Sequence, residues 1–143
     1  MDVRTKYDTW GAGMSETEKI TINLGLVDLG QIDLLVQEGF YSNRTDFIRT
    51  AIRNQLATHA EEVKQTVARK TLVLGLEHYT RRDLESVREA GETLEIRVLG
   101  LASIDDDVDP DLARETISSL VVLGALRASP AVKSALKDRI QTP

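Results

Sequence analysis

A short alternating segment near the start of the chain constrains the fold more than any other feature. Within residues 18–24, apolar and polar side chains alternate strictly, which predicts a strand buried on one face. The apolar side chains are Ile20, Ile22 and Leu24, and the polar ones are Lys19, Thr21 and Asn23. No second strand pattern follows within the next 45 residues, so the backbone groups of this strand lack a partner in their own chain. The simplest partner is the same strand of a second copy, in an antiparallel two-stranded ribbon about a twofold axis.

Two helical patterns follow the strand. The first runs from Val27 to Glu38 and is ended by Gly39, and the second begins at Ser42 or Asn43, both of which cap helices well. Its apolar pattern persists to residue 69, which predicts a helix of about 25 residues, or nearly 40 Å. So long a helix needs a partner chain or a second domain to cover its far half. The predicted dimer core combines the ribbon's apolar face with Phe47, Ile48 and Ile52.

The polar face of the ribbon carries residue types that read base edges. A two-stranded ribbon fits the major groove, where lysine donates to guanine, asparagine pairs with adenine, and threonine contacts either polar edges or the thymine methyl. Lys19, Thr21 and Asn23 are therefore candidate base contacts, and the alternative is a plain solvated strand face. A helix N-terminus suits a phosphate. The candidate phosphate contacts are the first-turn residues Ser42, Asn43, Arg44 and Thr45.

Residues 18–56 resemble the ribbon-helix-helix transcription factors of the CopG, MetJ and Arc type. The resemblance rests on the alternating strand, the turn from Gly39 to Thr45, and Phe47-Ile48-Arg49 followed by Ala51-Ile52-Arg53. It implies an obligate homodimer, a ribbon in the major groove and usually repression of a promoter, hence a nucleoid-associated protein of a prokaryotic cytoplasm. The chain departs from the pattern at Gly25, where many members have proline, and in its net charge of −5. For Arg49 and Arg53 we expect salt bridges to Asp46 or to the partner rather than base contacts.

The second half of the chain contains a repeat. A Val-Leu-Gly motif begins at Val73, Val98 and Val122, at spacings of 25 and 24 residues. Each copy precedes a helix-start signal, namely Thr80 with Asp83, Asp109 with Pro110, and Ser129 with Pro130. The repeat therefore predicts three strand–helix units whose strands are parallel and whose three glycines lie at one level. The arrangement is solenoid-like; the alternative is a three-layer α/β unit in which the repeat is coincidental.

The fold class is therefore α+β: a ribbon-helix-helix domain followed by a small α/β strand–helix repeat. We predict a flexible arm over residues 1–17, the ribbon-helix-helix domain over 18–57, a helical extension over 58–70 and the repeat domain over 71–143.

Other functional classes find little support in the sequence. Cysteine is absent, and no run of about 18 apolar residues exists that could span a membrane. Asp105, Asp107 and Asp109 match the first three ligands of a calcium loop, but Pro110 and Thr116 stand where that loop needs glycine and glutamate. Because no catalytic constellation stands out either, we predict no metal, no cofactor and no enzymatic activity.

The sequence thus predicts a regulator, most simply a repressor, that binds double-stranded DNA as a homodimer. Two alternatives stay open: an antitoxin whose C-terminal half clasps a toxin, and a dimeric interaction scaffold that does not bind DNA. Residues 71–143 are expected to multimerise DNA-bound dimers, or to bind a protein partner or a small effector.

Overall fold

The computed structural model describes residues 17–141, which divide into two compact units, 17–66 and 67–141. The arm predicted over residues 1–17 lies outside the described residues except for Thr17. Of the helices in the described part of the chain, none is long and apolar enough to cross a membrane.

The first unit contains helices α1 (Leu26–Gln37) and α2 (Arg44–Thr58), and the division between the units falls within α3 (Ala60–Arg69). Helix α1 ends as predicted: the N–H of Gly39 donates to the carbonyl of Val36 and that of Phe40 to the carbonyl of Leu35, with Gly39 at a φ of +84°. The predicted end of the first helix and the predicted start of the second are thus confirmed.

The prediction of one continuous helix to residue 69 is wrong, because the helix is interrupted at His59. The hydroxyl of Thr58 donates to the carbonyl of Gln55 at 2.6 Å, and the N–H of His59 donates to the carbonyl of Leu56 at 3.0 Å. Bonds to the carbonyl three residues back tighten the last turn and end the regular ladder. The apolar pattern continues beyond residue 59, so periodicity alone does not reveal the break.

The second unit contains a four-stranded parallel sheet in the order β1-β2-β3-β4. In chain order its elements are β1 (Val73–Tyr79), α4 (Arg81–Glu89), β2 (Leu94–Ile104), α5 (Pro110–Thr116), β3 (Ile117–Arg127), α6 (Pro130–Ala135) and β4 (Ile140–Gln141). Helix α5 packs against both α4 and α6. The predicted parallel strand–helix units are confirmed, whereas β4 was not predicted.

The predicted helix starts of this unit are confirmed. Thr80 and Asp83 form a reciprocal capping box, and Asp109 and Ser129 each accept a backbone N–H at the start of a helix whose first residue is proline. The core lies between the sheet and the helices and includes fully buried side chains from both layers, such as Leu84, Ile96, Ile117, Leu120, Val132 and Leu136.

The three Val-Leu-Gly motifs lie side by side. Gly75 is paired with Gly100, and Gly100 with Gly124. A Cβ added at Gly100 would lie 2.1 Å from the carbonyl oxygen of Gly75, and one added at Gly124 would lie 2.0 Å from that of Gly100. The glycines therefore permit a close approach of neighbouring strands, as predicted, and the repeat is structural rather than coincidental.

Candidate nucleic-acid interface

The segment predicted to form the ribbon has no assigned secondary structure within a single chain. Its apolar side chains are all exposed: Ile20 by 74%, Ile22 by 59% and Leu24 by 39%. Lys19, Thr21 and Asn23 are exposed as well. A strand needs a neighbour to complete its hydrogen bonds, so the pairing of this segment with a second copy stays a prediction.

The helices of the first unit also leave apolar surface uncovered. Phe47 and Ile48 are half-buried, and the Phe47 ring packs edge-on against Tyr41 with centroids 5.0 Å apart. Ile52, predicted to be core, is 48% exposed in the single chain, and Leu56 is 59% exposed. Within residues 17–66, Ile32 is the one buried side chain. Because the first unit has so little core of its own, a large apolar area of its surface is available for burial against another protein surface.

The N-terminus of α2 is shaped by a reciprocal cap. The Asn43 side chain accepts the N–H of Asp46 at 2.8 Å, and the Asp46 carboxylate accepts the N–H of Ser42 at 2.9 Å. The backbone N–H groups of Arg44 and Thr45 have no acceptor among the described residues. Two donors at the positive end of a helix are thus left for an anion, next to the hydroxyls of Ser42 and Thr45.

Arg44 forms an ion pair that the sequence does not predict. Its Nε donates to Oδ1 of Asp33 at 2.7 Å and its Nη2 to Oδ2 at 2.8 Å, in a two-point pair that joins α1 to the start of α2. The hydrogen bond from Arg44 and, to a lesser extent, its positive charge lower the pKa of Asp33 below its ordinary value, against an opposing effect of desolvation. The residues lie 11 apart in the sequence, on different helices, so no local spacing signals the pair.

Two further arginines lie beside the capped turn. Arg49 and Arg53 line an open cavity of about 370 Å³ together with residues of the first turn, Ser42, Asn43, Thr45, Asp46 and Thr50. Of the two salt bridges expected for these arginines, the one to Asp46 is wrong, because in the described part of the chain neither arginine forms an ion pair. The one to the partner stays a prediction. The Asp46 carboxylate instead accepts the backbone N–H of Ser42. The cavity wall therefore combines short hydroxyls and two guanidinium groups with the amide of Asn43 and the carboxylate of Asp46.

The acidic loop of the second unit has structural partners. Asp105 lies 2.9 Å from His78 Nε2, and Asp109 caps α5. Over residues 17–141, no group of three or more histidine, aspartate or glutamate side chains is arranged to hold a metal ion.

An exposed apolar row before two helices, the second of which begins with free N–H donors, is the pattern of a ribbon-helix-helix protein. Residues 15–133 match the family model described as the Ribbon-Helix-Helix transcriptional regulator family. The chain belongs to this family, which suggests a DNA-binding transcriptional regulator. The match extends well beyond residues 18–56, over which the sequence shows the resemblance, and includes most of the second unit. Comparison with curated proteins found no match, and neither did comparison with solved structures.

Proposed function

We propose that two copies of the chain pair residues 18–24 into an antiparallel ribbon and place its polar face in the major groove of an operator, where the dimer acts as a repressor. The observation that carries this proposal is the exposed row of Ile20, Ile22 and Leu24. In a ribbon, one face takes all three of these side chains and the other takes Lys19, Thr21 and Asn23.

The apolar face of the ribbon would cover the exposed side chains of the helices. Ile52 and Leu56 lie on α2 within reach of a common core with half-buried Phe47 and Ile48 in such a dimer. Burial of apolar surface contributes about 25 cal/mol per Å², so a row of large aliphatic side chains from each copy supports a stable dimer. The ribbon-helix-helix unit would then gain from its partner the core that it lacks alone.

The start of α2 would hold the DNA backbone. The free N–H groups of Arg44 and Thr45 and the hydroxyls of Ser42 and Thr45 can donate to phosphate oxygens, and the Asn43 cap keeps the turn in shape. Arg44 uses two of its five N–H donors on Asp33, which leaves three for a phosphate. Such contacts fix the register of the ribbon, and the ribbon side chains supply sequence reading.

The test is selection of DNA from a random pool by the full-length protein, followed by binding titrations on the selected sequence. Lys19→Ala and Asn23→Ala should each lose about 1–3 kcal/mol of discrimination at one base position, or about five- to 150-fold. Thr45→Ala should instead weaken binding to all sequences alike and leave the preference intact. Lys64→Ala, which removes the same charge from α3, is the matched control and should bind as the parent does.

Two results would contradict the proposal. One is selection that returns no common sequence although the protein is dimeric, in which case the ribbon serves only to join the chains in a scaffold. Alternatively, Lys19→Ala and Asn23→Ala retain the full sequence preference of the parent, in which case other residues read the DNA. Co-purification of a toxin that the C-terminal half binds tightly would favour the antitoxin alternative.

A further inference from the structure

The first edge of the sheet is unoccupied within the described residues. Strand β1 pairs with β2 on one side and with no strand on the other. Two of its apolar side chains are exposed, Val73 by 45% and Leu74 by 67%. The corresponding Val98 of β2, which has a strand on each side, is 1% exposed. An edge with free backbone groups and apolar side chains is a template for another strand.

The opposite edge is covered over only part of its length. Strand β4 pairs with β3 at Leu120 and Val121 and ends there, so in the described chain β3 has no outer strand from Val122 onward. Val122 is in register with Val98, which is in register with Val73. The open part of the β3 edge therefore begins at the level at which β1 begins.

The glycines give these two edges complementary shapes. The carbonyl of Gly75 approaches Gly100 and that of Gly100 approaches Gly124, always from the earlier strand to the later one. Gly75 also has a positive φ, +125°, close to the +141° of Gly100 and the +118° of Gly124. The space that a Cβ at Gly75 would occupy is nevertheless open. Gly75 can therefore receive a carbonyl, and the carbonyl of Gly124 is the next in the series.

We propose that the second units of different copies join head to tail, with β1 of one copy added in parallel beside the open part of β3 of another. This pairing sets Val73, Leu74 and Gly75 against Val122, Leu123 and Gly124, as the motif is paired twice within each chain. Because the two surfaces differ, the contact is heterologous and generates an open chain or a closed ring. Antiparallel pairing of two β1 strands would not reproduce the glycine approach.

The proposal goes beyond DNA reading and does not depend on it. If two first units form a dimer, each dimer carries two second units and therefore two heads and two tails. Head-to-tail contacts then connect DNA-bound dimers to one another. If the first units do not pair, the same contacts still connect single chains.

Engineered cysteines test the register directly, since the chain has none of its own. Leu74→Cys and Leu123→Cys would face each other across the contact, because adjacent strands lie about 4.8 Å apart and disulfides span about 4.4–6.8 Å between Cα atoms. An oxidised mixture of the two variants should give disulfide-linked pairs that contain one chain of each. Neither variant should give linked pairs alone.

Linked pairs in Leu74→Cys alone would overturn the proposal in favour of pairing between two β1 edges, and an absence of linked pairs in the mixture would also overturn it. The double variant Leu74→Cys, Leu99→Cys is the positive control, because these positions are paired within one chain and should form an internal disulfide.

Sedimentation of the full chain gives a second measurement. The mass of the parent should rise beyond two chains with increasing concentration, whereas that of Leu74→Lys should not exceed two chains, because a charge on a strand edge opposes strand addition. Thr93→Lys adds the same charge at an exposed position between α4 and β2 and should assemble as the parent does. A parent whose mass never exceeds two chains, or a Leu74→Lys variant that assembles normally, would refute the contact. Binding of Leu74→Lys to a single DNA site should be unchanged, so failure of assembly and failure of DNA reading are seen separately.

Discussion

Replacement of Gly100 by alanine tests the close approach of strands in the second unit. The new Cβ would lie 2.1 Å from the carbonyl oxygen of Gly75, whereas even close carbon–oxygen contacts between strands are about 3.3–3.6 Å. Alanine at Gly75 is the matched variant, because it has a similar positive φ but meets no described atom within 4 Å. The two variants share the backbone strain and differ in the steric conflict.

The expected magnitudes follow from these two contributions. A residue other than glycine at such a φ costs about 1–3 kcal/mol. Overpacking against an atom that cannot move away costs about 1–3 kcal/mol more. Gly100→Ala should therefore destabilise the second unit by about 2–6 kcal/mol and Gly75→Ala by about 1–3 kcal/mol. Since each kcal/mol lowers the melting temperature of a domain of this size by about 4–8 °C, the difference is measurable.

The assay is thermal and urea unfolding of the full chain by far-UV circular dichroism, with hydrogen exchange of β2 to assign the transition to the second unit. Low protein concentration keeps the proposed head-to-tail assembly from adding to the stability of the parent. Gly30→Ala, on helix α1 with no atom near the new Cβ, is the control and should not destabilise. If Gly100→Ala unfolds at the same temperature as Gly75→Ala, the glycine approach contributes nothing and the reasoning is wrong.

Three further predictions concern stability. Asn43→Ala should cost about 0.5–2 kcal/mol in urea unfolding because it removes the α2 cap, whereas Asn54→Ala in the exposed middle of α2 should not destabilise. Leu84→Ala should cost about 2–5 kcal/mol because Leu84 is fully buried, and Leu74→Ala at the exposed edge should cost much less. Because the pKa of Asp33 is lowered in the folded chain, its contribution to stability is present above the ordinary pKa of 3.8 and is lost as pH falls through the folded-state value. Asp33→Asn should therefore remove part of the pH dependence of the urea midpoint between those two values. An unchanged dependence would exclude the pair with Arg44 as its source.

Features that depend on local chemistry were predictable from the sequence. The caps at Thr80, Asp109 and Ser129 were predicted, and the cap of α2 was narrowed to Ser42 or Asn43, because each is a short-range pattern of side-chain acceptor and backbone donor. The alignment of the three glycines followed from the repeat, since parallel strands joined by helices of similar length place equivalent residues at one level.

Other features were not predictable because their causes lie outside the local sequence. The pair between Arg44 and Asp33 joins two helices, and β4 is a two-residue strand too short to show alternation. The ribbon is a different case: its pattern is local, but the segment has no strand partner in one chain, and in our proposal it becomes a strand only when it pairs with a second copy. Ile20, Ile22 and Leu24, which the pattern assigns to the buried face of the ribbon, are therefore exposed in the single chain.

The two proposals together account for a DNA-binding protein that is acidic. Residues 17–66 carry five basic and seven acidic side chains, so the nonspecific attraction of one dimer to DNA phosphates is weak. Linked binding units raise the effective concentration of each for a neighbouring site, which increases overall affinity without additional phosphate contacts. A regulator that gains affinity by assembly therefore favours DNA with several properly spaced operators over the large excess of single, imperfect sites. In such a protein the second unit contributes to selectivity although it touches no base.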